Sequence, residues 1–184
     1  MGRIMPAWRL YCKGTPMLEL VHAHDKILKQ HTVSFDFETT DRDPKQLAED
    51  LANKMIEHNG VGLAAPQVGI PLSVFVVGDP TNKESIMAFF NPKIIDFSEE
   101  TVYYDEGCLS FPGLFVKVKR PKEIRLRFTD MNNETTTTKF TGFTARAIQH
   151  EYDHLSGIVF TSKATAYHLS KAKKDQKLRL RRSR

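Results

Sequence analysis

The sequence predicts an α+β fold, with antiparallel β-sheets packed around a motif-bearing helix, one helix nearer the N-terminus and a basic tail. Three observations lead there. An amphipathic helical pattern follows Asp43-Pro44, a long central stretch breaks into short apolar or alternating segments, and a second helical pattern covers residues 142–154. Helices segregated from a run of strands indicate antiparallel sheets, whereas a parallel fold alternates the two. The 184 residues contain no internal repeat and no linker, so residues 1–162 read as one domain and 163–184 as a basic C-terminal tail.

Each element has a local reason. Asp43 is an N-cap, Pro44 suits the first turn, and Gln46 completes a capping pattern. Leu47, Leu51 and Met55 then recur every fourth residue beside Ala48, Ala52 and Ile56, which makes one buried face; Asn59-Gly60 ends the helix. Residues 60–69, Gly-Val-Gly-Leu-Ala-Ala-Pro-Gln-Val-Gly, form neither a P-loop nor a dinucleotide fingerprint, because no strand precedes them and no Lys-Ser/Thr follows. Such small residues suit backbone held close to a ligand or to a neighbouring helix, and both readings stay open. Residues 73–77 and 86–90 read as buried strands, the second ending at Asn91-Pro92. Residues 93–104 read as strand with a turn at Ser98-Glu99-Glu100. Leu114, Val116 and Val118 alternate with Phe115, Lys117 and Lys119, and Ile124, Leu126 and Phe128 with Arg125 and Arg127. A turn at 130–134 leads to a return strand at 135–140, and Gly157 stops the last helix.

Composition narrows the class. No apolar run approaches the ~20 residues of a membrane helix. The stretch Met1-Gly2-Arg3-Ile4-Met5-Pro6 lacks a signal-peptide apolar region, and despite Arg3 and Arg9 no organelle-targeting peptide is expected. Two cysteines, Cys12 and Cys108, are too few for a secreted disulfide scaffold and read as reduced thiols in a cytoplasm; separately, a monomer is expected. The net charge of +5 is uneven: residues 163–184 hold nine Lys and Arg against Asp175 alone, leaving the rest slightly acidic.

The chemistry concentrates at Gln149-His150-Glu151-Tyr152-Asp153-His154, an HExxH pattern. On a helix, His150 and His154 lie one turn apart on one face and can bind one cation, with Glu151 placed to move a proton on a bound water. A third ligand must come from elsewhere, because Phe160 stands where some zinc proteases carry a third His. Cys108 is the candidate, as a thiolate beside two imidazoles. Two other readings remain at this point: a peptidase using His168 as the missing ligand, and a structural metal site with a fourth protein ligand. His22, His24 and His31 share no helical face and receive no role.

Three segments together resemble the polypeptide deformylase family: residues 60–67, Glu106-Gly107-Cys108-Leu109-Ser110, and the HExxH stretch, in the family's order and spacing. The resemblance covers about residues 20–162. It implies a hydrolase that removes the formyl group from the N-terminal methionine of nascent chains. It implies one divalent metal ion, natively Fe2+ and replaceable by Zn2+, Ni2+ or Co2+, held by Cys108, His150 and His154. Glu151 becomes the general acid/base acting on metal-bound water, and the Gln67 amide and the Leu109 backbone N–H become oxyanion donors. Peptide pairing is expected at Gly62 and near residues 111–113. A methionine pocket is expected from Val61, Tyr104, Phe143 and Ala147, with Glu106 and Gly107 among the substrate-binding residues. Arg146, one turn before His150, can pair with Glu106. Phe115 departs from the Arg that some members carry there.

Some members dock on the ribosome through a C-terminal helix, which the basic tail matches. Ala164, Tyr167, Ala172, Leu178 and Leu180 form no continuous stripe, so a short helix over about 164–177 is expected to pack loosely, with a mobile end. Deletion of 170–184 is then expected to keep hydrolysis of a free formyl-Met peptide within a few-fold of the intact chain while weakening ribosome binding.

Overall fold

Strand alternation divides the core in two. The computed structural model describes residues 18–182; Met1-Gly2-Arg3, Arg9, Cys12, Ser183 and Arg184, used in the sequence reading, lie outside that range. Strands β1 (Gly62–Ala64), β2 (Val74–Val77), β3 (Met87–Phe97), β6 (Glu123–Thr129) and β7 (Thr135–Thr141) form one antiparallel sheet in that order. Between β3 and β6 the chain leaves the sheet to build a separate hairpin, β4 (Thr101–Cys108) and β5 (Phe111–Pro121). Helix α1 (Pro44–Glu57) covers one face of the large sheet, packing Leu47, Leu51 and Met55 against Leu63, Val74, Val76 and Phe90. Helix α2 (Gly142–Leu155) covers the other, packing Ala145, Ala147, Ile148 and Leu155 with Ala64, Phe75, Val77 and Phe89. Alternate side chains of β2 thus serve opposite cores, as the two-residue period of a strand requires.

Two sequence boundaries shift. Asn91-Pro92 does not end a strand: β3 runs on through a bulge between Phe90 and Lys93. Asn91 takes a left-handed φ of 48°, and its side-chain amide clasps Phe35, accepting from its N–H at 2.7 Å and donating to its carbonyl at 2.8 Å. The bulge absorbs a residue that would otherwise break the ladder. The turn at 98–100 does separate two strands, but they join different sheets.

The C-terminal segment differs most. Helix α3 (Ala166–Arg182) is longer than expected and seats Leu169 and the buried Ala172 against Leu114, Val116, Val118 and Phe160. Leu169, absent from the apolar pattern considered above, supplies the missing member: residues 169, 172, 176 and 179 lie on one helical face. The hairpin therefore gets a core of its own.

Helix α2 ends in a Schellman motif. Gly157 has φ 67°, its N–H reaches the His154 carbonyl at 3.1 Å, and the Ile158 N–H reaches that of Asp153 at 2.9 Å. A Cβ on Gly157 would lie 2.6 Å from the Lys29 carbonyl carbon, which is backbone and cannot swing away. Gly157→Ala combines left-handed strain with a backbone clash and is expected to lose at least about 2 kcal/mol of stability. Denaturant unfolding measures this, and a change below about 0.5 kcal/mol would contradict it.

Candidate active site

Helix α2 supplies the HExxH residues from its buried face, and the tip of the β4–β5 hairpin supplies Cys108. The ligand atoms of Cys108, His150 and His154 lie within 4.8 Å of one another. Cys108 Sγ stands 3.4 Å from His154 Nε2, close to the roughly 3.5 Å that separates a sulfur and a nitrogen on one tetrahedral ion. His150 points its Nδ1 at Glu106 Oε2, 3.0 Å away. An ionised carboxylate only accepts, so Nδ1 carries the proton and Nε2 is left for a cation. The donor set, one thiolate and two imidazoles, fits a borderline divalent ion. Among the described residues this is the one converging group of three or more His, Cys, Asp or Glu, and it has three members, as a catalytic site with an open position requires. His168 is not among them; its ring packs against Tyr103 and Tyr167. Phe160 is fully buried, with its ring 5.5 Å from that of His150.

The two imidazoles titrate in opposite directions. Burial alone would lower His150, but hydrogen bonds to Cys108 and Glu106 push it up to about 10, while burial and its charged neighbour His150 push His154 well down. A proton and a cation compete for the same lone pair, so cation uptake at His150 releases a proton.

A cavity of about 510 Å3 opens over Cys108 and His150, with His154 buried behind them. Glu151, Gln67, Val61, Gly62, Glu106, Gly107, Leu109, Phe143 and Ala147 all line it. Glu151 is buried, its Oε2 has no hydrogen-bond partner, and burial pushes its carboxyl up to about 7. Gly62 makes room for it: a Cβ there would fall 2.5 Å from Glu151 Oε1. Gln67 is pinned by the Ala64 N–H, which donates to its Oε1 at 2.8 Å; its Nε2 is then turned toward Cys108 Sγ at 3.3 Å and Ser110 Oγ at 3.4 Å. Leu109 is the first residue of the two-residue turn that closes the hairpin after Cys108.

Three of the expected substrate-binding residues have protein partners of their own. Tyr104 is not in the cavity lining; it is half exposed, and the Arg146 guanidinium lies 5.3 Å from its ring centroid. Glu106 lines the cavity, but its carboxylate is spent on protein partners. Oε1 accepts from Arg120 Nε at 2.6 Å and Arg146 Nη1 at 2.8 Å, and Oε2 from Arg120 Nη2 at 2.9 Å as well as His150. Gly107 lines the cavity and also leaves room for Phe115, since a Cβ would meet that ring at 2.7 Å.

Arg120 and Asp153 were not singled out from sequence, although signals existed. Arg120 is the charged member of the buried row Leu114, Val116, Val118, Arg120, and Asp153 lies within the HExxH stretch itself. Arg120 Nη1 donates to Asp153 Oδ2 at 2.6 Å and ties the hairpin to α2. Two buried carboxylates thereby face two buried guanidiniums, Arg120 and Arg146.

The sequence profile of the polypeptide deformylase family matches residues 17–170. The chain belongs to the polypeptide deformylase family. These hydrolases remove N-formyl groups from nascent peptides and depend on a metal ion. The peptide deformylase of Prochlorococcus marinus subsp. pastoris is 38% identical over 157 residues, covering 83% of this chain and 76% of its own. A plant peptide deformylase crystal structure superposes with TM-score 0.81 at 31% identity, covering 90% of each chain. That of Plasmodium falciparum gives 0.80 at 31%, covering 89% of this chain and 95% of its own. No helix among the described residues is long and apolar enough to cross a membrane.

Glu106 is held far below the usual carboxylate range: burial would raise it, but the His150 and Arg120 hydrogen bonds prevail. Its unfolded value is about 4.3, so its stabilising contribution is complete above that and is lost as pH falls toward the folded value. Glu106→Gln, which leaves buried guanidiniums short of counter-charge, is expected to cost about 3–5 kcal/mol at neutral pH. It should also lose stability less steeply than the intact chain below about pH 4. Denaturant midpoints at both pH values test this, and unchanged stability with an unchanged slope would contradict it.

Proposed function

We propose that this cavity hydrolyses the terminal formamide of formylmethionyl peptides, with Cys108 Sγ, His150 Nε2 and His154 Nε2 holding one divalent ion, Fe2+ in the native enzyme, with Zn2+, Ni2+ or Co2+ as substitutes. When bound, the ion supplies Lewis acidity, which makes a water nucleophilic near neutral pH and polarises the formyl oxygen. The observation that carries the reading is Glu151: a buried carboxyl pushed up to about 7, with an unpartnered oxygen, among the cavity-lining residues with Cys108 and His150. A group of that pKa can both take and return a proton near pH 7. Glu151 removes the proton from the attacking water as its oxygen bonds to the formyl carbon. It then passes that proton to the peptide nitrogen as the carbon–nitrogen bond breaks, leaving formate and a free amine.

Gln67 Nε2 and the Leu109 backbone N–H donate to the developing oxyanion. The Ala64 contact supports this role for Gln67, because a donor fixed beforehand costs no reorganisation during reaction. Val61, Phe143 and Ala147 present apolar surface to the methionine side chain, and Gly62 with residues 111–113 offers backbone for strand-like pairing. Glu106 serves by orienting His150.

Glu151→Ala is expected to keep its metal and fold while kcat falls by orders of magnitude. Gln67→Ala should lower kcat by about 100-fold or more with little change in KM. Metal analysis and steady-state kinetics on a formyl-Met peptide, beside an unformylated control, check both. Loss of metal from the Glu151 variant would make that residue a ligand, and a pure KM effect would move Gln67 to substrate positioning.

The outward side of α3 carries exposed Lys171, Lys173, Lys174, Lys177 and Arg181, which support contact of a monomeric cytoplasmic enzyme with ribosomal RNA. Such contacts release counterions and weaken steeply with salt. Reversing Lys173 and Lys177 to Glu is expected to weaken co-sedimentation with ribosomes and flatten its salt dependence; equal binding across the series would reject the contact.

A further inference from the structure

The lip of the cavity, residues 111–115, is the start of β5. Leu114 faces inward and is buried with Val116, Phe160 and Ala172. Pro112, Gly113 and Phe115 are exposed, and Gly113 has φ 72° with open space where a Cβ would be. This outer row needs something to fix it, and two side chains of α3 reach it. Gln176 Nε2 donates to the Pro112 carbonyl at 2.9 Å. The Arg179 guanidinium lies 5.6 Å from the Phe115 ring centroid. The same ring fills the space left by Gly107, next to Cys108, so Phe115 is held between the ligand-bearing turn and α3.

We propose that α3 buttresses the substrate cleft from behind, with Gln176 and Arg179 as positioning residues that set the lip against which the peptide beyond methionine lies. The inference rests on the deformylase reading of the cavity. It refines the sequence expectation that losing the end of the chain changes free-peptide hydrolysis by no more than a few-fold. Residues 176 and 179 continue the inward stripe of Leu169 and Ala172, so the apolar seat of the helix also aims them at the lip. Neither touches the reacting atoms, so their loss acts on substrate affinity and leaves the chemical step alone.

The test uses the metal-loaded full chain with a formyl-Met tripeptide and with formylmethionine amide, which has no chain beyond methionine. Arg179→Ala and Gln176→Ala are each expected to raise KM for the tripeptide about two- to five-fold, the scale of an exposed cation–π or hydrogen-bond contact. Values for kcat, for the amide and for the thermal midpoint should stay unchanged. Arg179→Lys should restore most of the affinity, and Arg179→Ala should add nothing in a Phe115→Leu background, because one contact is already gone. An unchanged tripeptide KM in both alanine variants would overturn the proposal. So would parallel losses of kcat, thermal midpoint and affinity for both substrates, which would make α3 a scaffold only. Absence of turnover by the intact chain would sink the deformylase reading and this inference with it.

Discussion

The Glu106 carboxylate is the joint on which the site depends. The β4–β5 hairpin shares no strand pairing with the five-stranded sheet, so backbone hydrogen bonds do not set where Cys108 stands relative to α2. Side chains do. Glu106 and Arg120, from the two strands of the hairpin, bind each other through two parallel hydrogen bonds; Glu106 then reaches His150 and Arg146 on α2, and Arg120 reaches Asp153. The donor set is split across this joint, with Cys108 on the hairpin and His150 and His154 on α2. An apolar replacement of such a cluster is often no less stable, because desolvation offsets most of the attraction. Its value here is geometric: planar guanidiniums accept few arrangements, so they fix the hairpin's angle on α2 more tightly than apolar packing would.

The second constraint is closeness. Strand β1 turns Leu63 toward the α1 core, leaving Gly62 and Ala64 on the side of α2. With no side chain at 62, Glu151 lies almost against the strand backbone and out of water. That burial is what raises its pKa to about 7. The small-residue segment therefore does two things at once: it admits the helix and it tunes the acid on it. Gln67, held by the N–H of Ala64, sits one turn further along the same segment.

Helix α3 has two faces with different tasks. Its inward stripe completes the core beneath the hairpin and carries two polar contacts to the cleft's lip. Its outward side is a row of exposed cations.

Local sequence determined a good deal: the helix starting at Asp43-Pro44, the alternation of β5 and β6, the stop at Gly157, and the single-face placement of His150 and His154 one turn apart. All of these follow from periodicity and capping within about a dozen residues. Cys108, Gln67 and Glu151 could be proposed together only through their resemblance to a family, since no local rule brings residues 41 to 84 positions apart into one site. Tertiary structure alone decided which polar groups serve the cavity and which serve one another. Only the packed structure shows that Glu106 takes Arg120 from the opposite strand as a partner, and that the Arg146 guanidinium lies over the Tyr104 ring. It also decided that Leu169 and Ala172 suffice to seat α3, because the groove they enter is formed by β5 and Phe160. Whether a buried charge finds a partner, or a short apolar stripe finds a groove, depends on surfaces that exist only once the distant elements have packed.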